Sequence, residues 1–202
     1  RDYRRAEDFA GQHVLIVGGG ISAIQLLDEI SKVARTSWAT RTPPRWREGP
    51  FDQEAGRAAV RLVEERVRAG LPPNAVVSVT GLPVNERTEA MRARGVLERR
   101  PMFREITKTG VRWPDGRELA VDVILWCTGF RSSLDHLAPL LLREPSGGIA
   151  MGGRLATQVV KQPRVHLVGY GPSASTVGAN RAGAAAASEL METLGIAPKI
   201  SA

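Results

Sequence analysis

Residues 14–23 have the sequence VLIVGGGISA, and this stretch decides the fold class of the 202-residue chain. It opens with a short apolar run, which is typical of a strand buried on both faces of a parallel sheet. Glycines follow at Gly18 and Gly20, in the spacing Gly-x-Gly-x-x-Ala that ends at Ala23. Apolar residues then recur at helical spacing, and Thr36–Thr40 indicates a second strand. The order strand, glycine loop, helix, strand predicts a Rossmann-like α/β fold, a parallel sheet with flanking helices.

The glycine loop has the residue types that a dinucleotide-binding turn needs. Gly18 permits a tight turn, Gly20 lets a pyrophosphate approach the backbone, and Ala23 allows the helix to pack closely on the strand. The N-terminus of the helix supplies unpaired N–H groups and a partial positive charge, and the Ser22 hydroxyl adds a further donor. We therefore predict that a nicotinamide dinucleotide binds between Gly18 and Ala23. The alternative is a glycine-rich turn without a ligand.

The end of the second predicted strand indicates which dinucleotide binds. An NAD site usually presents an acidic residue there to the ribose hydroxyls, whereas an NADP site presents an arginine to the 2′-phosphate. The strand ends in Thr40-Arg41, and no Asp or Glu adjoins it. The forked guanidinium of Arg41 matches a phosphate, with Arg45 or Arg47 as a second cation. We therefore predict NADPH as the cofactor; the alternative is that Arg41 is a solvated surface residue.

No catalytic acid or base stands out from the sequence. Short-chain dehydrogenases use a Tyr-x-x-x-Lys pair, but neither Tyr3 nor Tyr170 is followed by a lysine at that spacing. The three histidines lack the spacing of metal ligands, so no metal site is predicted, and His13 is expected to be a surface or packing residue. The catalytic residues are therefore left unknown. A chain that binds a hydride carrier without a proton-transfer group of its own points to a second cofactor as the hydride acceptor.

Four segments, taken in order, resemble the flavin-containing monooxygenases, in particular the bacterial flavin monooxygenase and Baeyer–Villiger types. These are flavoproteins with two dinucleotide-binding domains. The segments are Tyr3-Arg4 with Phe9-x-Gly11, the loop Gly18–Ala23 with Arg41, the strand end Cys127-Thr128-Gly129-Phe130, and the stretch Val165–Ala184. Cys127 departs from the family, whose corresponding motif is Ala-Thr-Gly. The family also begins with a glycine loop for FAD that is not found upstream of Gly18, so we expect the chain to be the C-terminal portion of such a protein.

The resemblance implies an FAD- and NADPH-dependent monooxygenase. In that family NADPH reduces FAD, and a flavin hydroperoxide formed with O2 then oxygenates a small organic substrate. The resemblance also implies that Thr128 and Gly129 link the NADPH domain to the FAD domain. It further implies that Tyr170–Arg181 line the flavin side, and that Gly169 and Asn180 lie there as cofactor contacts. Two alternatives stay open: a flavin reductase that passes electrons to a protein partner, and a truncated NADPH-binding module without activity.

Residues 1–10 are polar and charged and are predicted to be a linker. The resemblance divides the rest of the chain into an NAD(P)H-binding Rossmann-like domain at 11–128 and the C-terminal part of an FAD-binding Rossmann domain at 129–202. Hydrophobic patterns and turn residues predict further elements within these ranges. They are a helix over 52–69 capped by Asp52, an antiparallel hairpin over 106–120 that turns at Pro114-Asp115-Gly116, strands over 121–126 and 165–169, and a helix over 177–194. Residues 74–100 show no pattern clear enough to predict an element.

Composition limits the class of protein and its partners. Apolar residues make up 43% of the chain and charged residues 24%, which is typical of a soluble globular protein. No apolar stretch is long enough to span a membrane, and no signal peptide is visible. The net charge is +7, but the arginines are scattered, so no nucleic-acid partner is expected. Cys127 is the only cysteine, which excludes an internal disulfide and favours the cytoplasm; a homo-oligomer is left open.

Overall fold

The computed structural model describes residues 3–74, 79–174 and 176–196. The chain forms two compact units. The first unit consists of the described residues within Arg1–Pro50 and Thr80–Phe130, and the second of those within Phe51–Val79 and Arg131–Ala202. The described residues within 51–79 therefore pack with the second unit, although the predicted NADPH domain includes them. The functional assignment of the predicted domains stays a prediction.

The elements of both units are numbered in chain order. The helices are α1 (Ile21–Ile30), α2 (Gln53–Arg68), α3 (Glu86–Ala93) and α4 (Thr176–Thr193), with short 3-10 helices at Ala6–Phe9, Asp135–Leu140 and Gly171–Ser173. The strands are β1 (His13–Val17), β2 (Arg35–Thr40), β3 (Trp46–Arg47), β4 (Leu82–Pro83), β5 (Arg99–Pro101), β6 (Glu105–Thr107), β7 (Gly110–Arg112), β8 (Glu118–Ala120), β9 (Val123–Trp126), β10 (Met151–Gly152), β11 (Gln158–Val159) and β12 (Gln162–His166). Among the described helices, none has the length and apolar character that a membrane crossing requires.

A parallel sheet with the strand order β5-β2-β1-β9 forms the centre of the first unit. Val14 pairs with Thr36 on one side and with Val123 on the other, so β1 is an inner strand. The chain adds β2 and β5 outward on one side of β1 and then crosses to β9 on the opposite side. The strand order therefore reverses between β1 and β9, and ligands of open α/β sheets bind at such a reversal. The predicted Rossmann-like α/β fold is confirmed.

Burial explains why β1 and α1 form where the sequence predicts them. Every residue of β1 is buried, because β2 and β9 flank it and α1 packs against it. The buried apolar residues of α1 are Ala23, Ile24, Leu27 and Ile30. Apolar residues recur at helical spacing from Ile21 to Val33, which predicts one buried face over that range. The prediction is wrong at both ends, because Ile21 is 46% exposed and Val33 is 37% exposed. Ile21 is the first residue of the helix, and Val33 lies beyond its last residue.

Strands β6, β7 and β8 form a separate antiparallel sheet in the first unit. The predicted hairpin is confirmed as β7 and β8, whose turn is closed by Gly116 N donating to Trp113 O at 3.0 Å and Trp113 N donating to Arg117 O at 2.9 Å. Val111 and Trp113 are buried and join the core on β1. The next strand, β9, begins at Val123, two residues after the predicted start.

Residues 82–101 contain α3 and β5, which the sequence reading did not predict. Asn85 begins α3: its side chain accepts from Thr88 N at 3.1 Å, and its own N–H donates to Thr88 Oγ1 at 2.9 Å. Asp28 ties α3 to α1, since its buried carboxylate accepts from Arg87 at 2.8 Å and from Arg94 at 2.6 Å. Burial opposes the charge of Asp28, but the hydrogen bonds from its cationic partners outweigh burial and lower the pKa of this carboxyl group.

The described part of the predicted linker is folded. Ala6–Phe9 is a 3-10 helix, and the ring of Tyr3 stacks on that of Phe9 with centroids 5.9 Å apart. The Tyr3 hydroxyl donates to Glu29 Oε2 at 2.6 Å. Burial and this carboxylate raise the pKa of Tyr3 to about 12. The segment is thereby attached to α1 and does not hang free of the first unit.

The second unit contains the helices α2 and α4 and a small antiparallel sheet with the strand order β10-β11-β12. Asp52 caps α2 as predicted, with its side chain accepting from Ala55 N at 2.8 Å. The apolar pattern of α2 predicts one buried face with Ala59, Val60, Val63 and Val67, and this is wrong at Val60, which is 46% exposed. Helix α4 confirms the predicted alanine-rich helix and buries Ala182 and Ala186. The core cluster of the unit consists of Val67, Leu142, Ile149, Met151, Ala156, Val159, Leu167 and Tyr170.

Strand β12 differs from the predicted strand at 165–169. It covers Gln162–His166 and pairs antiparallel with β11, so its position is set by a partner that sequence periodicity does not show. One further bond, from Leu167 N to Thr157 O at 2.8 Å, follows the strand. The chain then turns at Gly169, where φ is 90°.

His13 is a packing residue at the start of β1. Its Nε2 lies 3.0 Å from Ser37 Oγ, and its Nδ1 lies 2.8 Å from Ala120 O and 2.6 Å from Arg35 Nη2. Nδ1 either donates to the carbonyl or accepts from the guanidinium, depending on the tautomer. Burial, and then the positive charge of Arg35, lower the pKa of His13. The imidazole is therefore neutral in the folded protein at neutral pH.

This lowered pKa makes the stability of the first unit depend on pH. As the pH falls below the ordinary value of 6.5, the unfolded chain binds a proton at His13 that the folded chain does not bind. The first unit should therefore lose stability between pH 6.5 and the lower folded pKa, and His13→Gln should reduce this loss. Thermal unfolding followed by tryptophan fluorescence measures it, because all four tryptophans lie in the first unit. The control His136→Gln, at an exposed position, should keep the wild-type pH profile; an unchanged profile in His13→Gln would contradict the assignment.

Candidate dinucleotide-binding site

The predicted glycine loop lies at the carboxyl edge of the parallel sheet, where three strand ends converge. Gly18 N donates to Ala39 O of β2 at 2.9 Å, and Cys127 N donates to Val17 O at 2.7 Å. The loop is therefore hydrogen-bonded to β2 on one side. On the other side, the last residue of β1 is hydrogen-bonded to the residue that follows β9. This is the position at which the strand order reverses, so the loop stands where a ligand of this fold is expected.

Gly18 occupies a position that only glycine fits. Its φ is 140°, and a Cβ atom added there would lie 2.1 Å from Cys127 O. Trp38 Nε1 donates to Gly18 O at 2.7 Å, and the tryptophan is buried. The tight turn predicted for Gly18 is therefore present, and the structure adds a second reason for glycine: the close passage of the Cys127 backbone.

Gly20 has open space around its Cα atom, whereas the space around Gly18 is filled by the Cys127 backbone. Gly20 is the N-cap of α1 with φ −100°, no side chain caps the helix there, and a Cβ added to it would meet nothing within 4 Å. Ala23 is completely buried against the sheet, as close helix packing requires. Ser22 is exposed, and its hydroxyl has no hydrogen-bond partner among the described residues. The start of α1 therefore presents free backbone donors to any ligand that approaches Gly20.

The end of β2 lies against this loop. A Cβ added to Gly19 would be 3.7 Å from the methyl group of Thr40 and 3.9 Å from Pro44. Arg41 comes directly after Thr40, is exposed, and forms no hydrogen bond or ion pair with the described residues. Its guanidinium is thus available to a ligand. Arg47, by contrast, donates to Thr80 O at 3.1 Å and to Gly49 O at 2.8 Å, so it is engaged in the loop structure.

The end of β9 supplies the other side of the sheet edge. Thr128 and Gly129 are exposed, and Gly129 has a φ of 83° with open space around it. Cys127, directly before them, is half-buried, and burial raises the pKa of its thiol. The sulfur is therefore a neutral thiol at neutral pH.

Two predicted site residues belong to the other compact unit. Gly169 begins a turn in which its N–H donates to Ser173 Oγ at 3.0 Å, and Asn180 is exposed on α4. Tyr170, expected to line the flavin side, is instead buried in the core of the second unit, and its hydroxyl accepts from Ile149 N at 3.2 Å. The structure thus brings together Gly18, Gly20, Ser22, Ala23, Arg41, Thr128 and Gly129, while the roles of Gly169 and Asn180 stay predictions.

Comparison with solved structures finds relatives along nearly the whole chain. A flavin-containing monooxygenase from Stenotrophomonas maltophilia is 33% identical, with a TM-score of 0.70 over 95% of this chain and 53% of that protein. A double mutant of the flavin monooxygenase from the same organism is 34% identical, with a TM-score of 0.69 over 93% of this chain and 53% of the mutant. The chain is a relative of the flavin monooxygenases. The resemblance that the motifs indicated is confirmed, and the chain spans about half the length of these relatives.

More distant structures share the fold with this flavin monooxygenase relative. OTEMO, described as a complex with FAD and NADP, is 12% identical, with a TM-score of 0.53 over 93% of this chain and 53% of that one. The bacillithiol disulfide reductase Bdr from Bacillus cereus is 13% identical, with a TM-score of 0.55 over 94% and 53%. At such identities the likeness shows the fold alone. No family model and no curated protein matches the chain.

Of the three histidines of this flavin monooxygenase relative, only His13 lies in the first unit. His13 is at the opposite, amino end of β1, and His136 is exposed in the second unit. His166 is nearly buried, with its Nδ1 3.1 Å from Thr157 Oγ1 and 3.8 Å from Glu189 Oε2. The described residues contain no group of side chains that could hold a metal ion.

Arg99 also lies at the sheet edge, although the sequence pattern did not predict it. Arg99, on β5, donates through Nη1 to Thr40 O at 3.1 Å and to Thr40 Oγ1 at 3.3 Å. It lies in the stretch 74–100, where no element was predicted. In the sequence this site is indicated only by the adjacent basic residues Arg99 and Arg100. Their position at the sheet edge becomes clear only from the pairing of β5 with β2.

The two glycines at the loop should respond differently to the same substitution. Gly18→Ala places a side chain on the Cys127 backbone at a positive φ, so we expect it to lower the free energy of unfolding by ~3 kcal/mol or to prevent folding. Gly20→Ala, the matched control, enters open space at an ordinary φ and should change stability by less than about 1 kcal/mol. Urea unfolding followed by tryptophan fluorescence compares them. Equal effects of the two substitutions would show that the Cys127 contact does not constrain the loop.

Proposed function

We propose that this chain is the NADPH-binding part of an FAD-dependent oxidoreductase of the monooxygenase type. The observation that carries the proposal is the sheet edge, where the open Gly20 and the exposed Arg41 flank the turn that Gly18 closes. The relationship to the flavin-containing monooxygenase from Stenotrophomonas maltophilia supports the reaction class. The fold shared with OTEMO in complex with FAD and NADP is consistent with both cofactors.

The residues of the sheet edge match the parts of NADPH. The pyrophosphate lies against Gly20, where no side chain obstructs it, and accepts hydrogen bonds from the first N–H groups of α1 and from the Ser22 hydroxyl. Arg41 pairs with the 2′-phosphate, since a guanidinium fork binds two phosphate oxygens at once. Thr128 and Gly129, at the end of the strand beyond the reversal, line the other side of the dinucleotide.

In this proposal the chain binds and orients NADPH, and the chemistry of accepting a hydride and reacting with O2 would be supplied by bound FAD. The chain's own residues hold NADPH in one orientation, and they need no acid or base for that task. Gly169 and Asn180 are the proposed contacts to the flavin, a small organic molecule is the proposed substrate, and the reducing cytoplasm is the proposed location.

A reductase that passes electrons to a protein partner would use the same sheet edge. Measuring NADPH oxidation, O2 uptake, H2O2 and product together, with added FAD and a sulfide or ketone, separates the two activities. A monooxygenase forms oxygenated product in step with O2 uptake, whereas a reductase consumes NADPH without oxygenated product. An NADPH-binding module without activity binds the dinucleotide and leaves it unoxidised.

Arg41 should set the preference for NADPH over NADH. Arg41→Ala removes the cation that pairs with the 2′-phosphate, so the affinity for NADPH should fall about tenfold, ~1.4 kcal/mol, while that for NADH stays the same. Isothermal titration of the chain with each dinucleotide measures both affinities. Gly20→Val should weaken both dinucleotides together, because it blocks the pyrophosphate.

The exposed Arg45 provides the matched control, since Arg45→Ala removes the same charge four residues away. It should reduce NADPH affinity by less than about threefold. If Arg41→Ala discriminates between the dinucleotides as well as the wild type does, Arg41 is not the 2′-phosphate ligand.

A further inference from the structure

Arg99 lies beside the turn that carries Arg41. β5 pairs in parallel with β2, with Arg99 opposite Trp38 and Pro101 opposite Thr40. From that position the Arg99 side chain extends toward the carboxyl end of β2 and donates through Nη1 to the Thr40 carbonyl and hydroxyl oxygens, at 3.1 and 3.3 Å. A neighbouring strand thus holds the last residue of β2.

Thr40 connects Arg99 to both parts of the sheet edge. It is almost completely buried, and its hydroxyl donates to Thr42 O at 2.8 Å, across Arg41. Its methyl group lies 3.7 Å from the Cβ position of Gly19 in the glycine loop. The Arg99 bonds therefore act on a residue that fixes the turn 40–42 and contacts the loop.

The geometry points to Arg99 as a positioning residue for the 2′-phosphate: it holds the Thr40–Thr42 turn so that Arg41 faces the phosphate. This inference rests on the proposed function, and it assigns selectivity to a residue on a different strand from Arg41. The Nε and Nη2 atoms of Arg99 form no hydrogen bond with the described residues, so its positive charge stays at the same edge. An arginine suits this role because one nitrogen can bond the protein while the group stays charged.

Arg100 provides a matched control on the same strand. Its guanidinium lies over the ring of Trp113, 5.8 Å from the centroid, whereas the bonds to Thr40 come from Arg99. Arg100→Gln therefore removes one positive charge from β5 and leaves the Arg99–Thr40 contacts in place. The difference in 2′,5′-ADP affinity between Arg99→Gln and Arg100→Gln therefore measures the effect of the Arg99–Thr40 bonds, apart from the loss of charge.

The test compares 2′,5′-ADP with 5′-AMP, which differ only in the 2′-phosphate, by isothermal titration of the full 202-residue chain. Arg99→Gln should weaken 2′,5′-ADP at least about fivefold and leave 5′-AMP within about twofold. Arg99→Lys keeps the charge but not the fork, so it should recover part of the lost affinity. Arg100→Gln should leave the ratio of the two affinities unchanged.

Three results would overturn the inference. They are equal effects of Arg99→Gln and Arg100→Gln, a parallel loss of 5′-AMP affinity in Arg99→Gln, and no recovery in Arg99→Lys. If Arg99→Gln does not fold, Thr40→Val removes the hydroxyl that links Arg99 to Thr42 and should produce the same selective loss; an unchanged affinity ratio in Thr40→Val then overturns the inference.

The wild type and Arg41→Ala separate this inference from the proposed function. If the wild type does not prefer 2′,5′-ADP over 5′-AMP, both are wrong. If the wild type prefers 2′,5′-ADP and Arg41→Ala abolishes the preference while Arg99→Gln retains it, the proposed function stands and only the role of Arg99 is wrong.

Discussion

The hydrogen bond from the Trp38 indole to the Gly18 carbonyl fixes the point on which the first unit is organised. It satisfies a buried backbone acceptor in the turn after β1, and such a group would otherwise be costly to bury. The backbone of Cys127 also passes so close to Gly18 that residue 18 can carry no side chain. β2 and β9 are thus both held to the turn after β1, and two residues further on the Gly20 position is open.

The chemistry of the edge follows from which polar groups are used and which are free. The N–H groups at the start of α1 have no side-chain cap, and Arg41 has no described partner. Around them, Arg47 and Arg99 are bonded to carbonyl oxygens and contribute charge from fixed positions. A rigid frame with a few unused donors is what a site for an anionic ligand requires, because the ligand does not have to displace internal bonds.

The sequence was sufficient for features that depend on neighbouring residues. The strand, glycine loop and helix at 13–30 follow from local periodicity and turn chemistry, and the cap at Asp52 follows from its residue type and position. It was insufficient wherever a distant strand sets the outcome. The Cys127 contact requires β1 and β9 to pair across more than a hundred residues of chain, the Arg99 contact requires the register of β5 on β2, and β12 is placed by its antiparallel partner.

Backbone amide NMR with added NADP⁺ shows whether the sheet edge of the first unit binds the dinucleotide. Amide signals are assigned residue by residue, so the method locates the ligand without any substitution. We expect saturable shifts concentrated at Gly18–Ala23, at Arg41 and at Thr128–Gly129, and much smaller shifts in the second unit. Shifts confined to other residues, or no saturable shifts at millimolar NADP⁺, would contradict the proposed site.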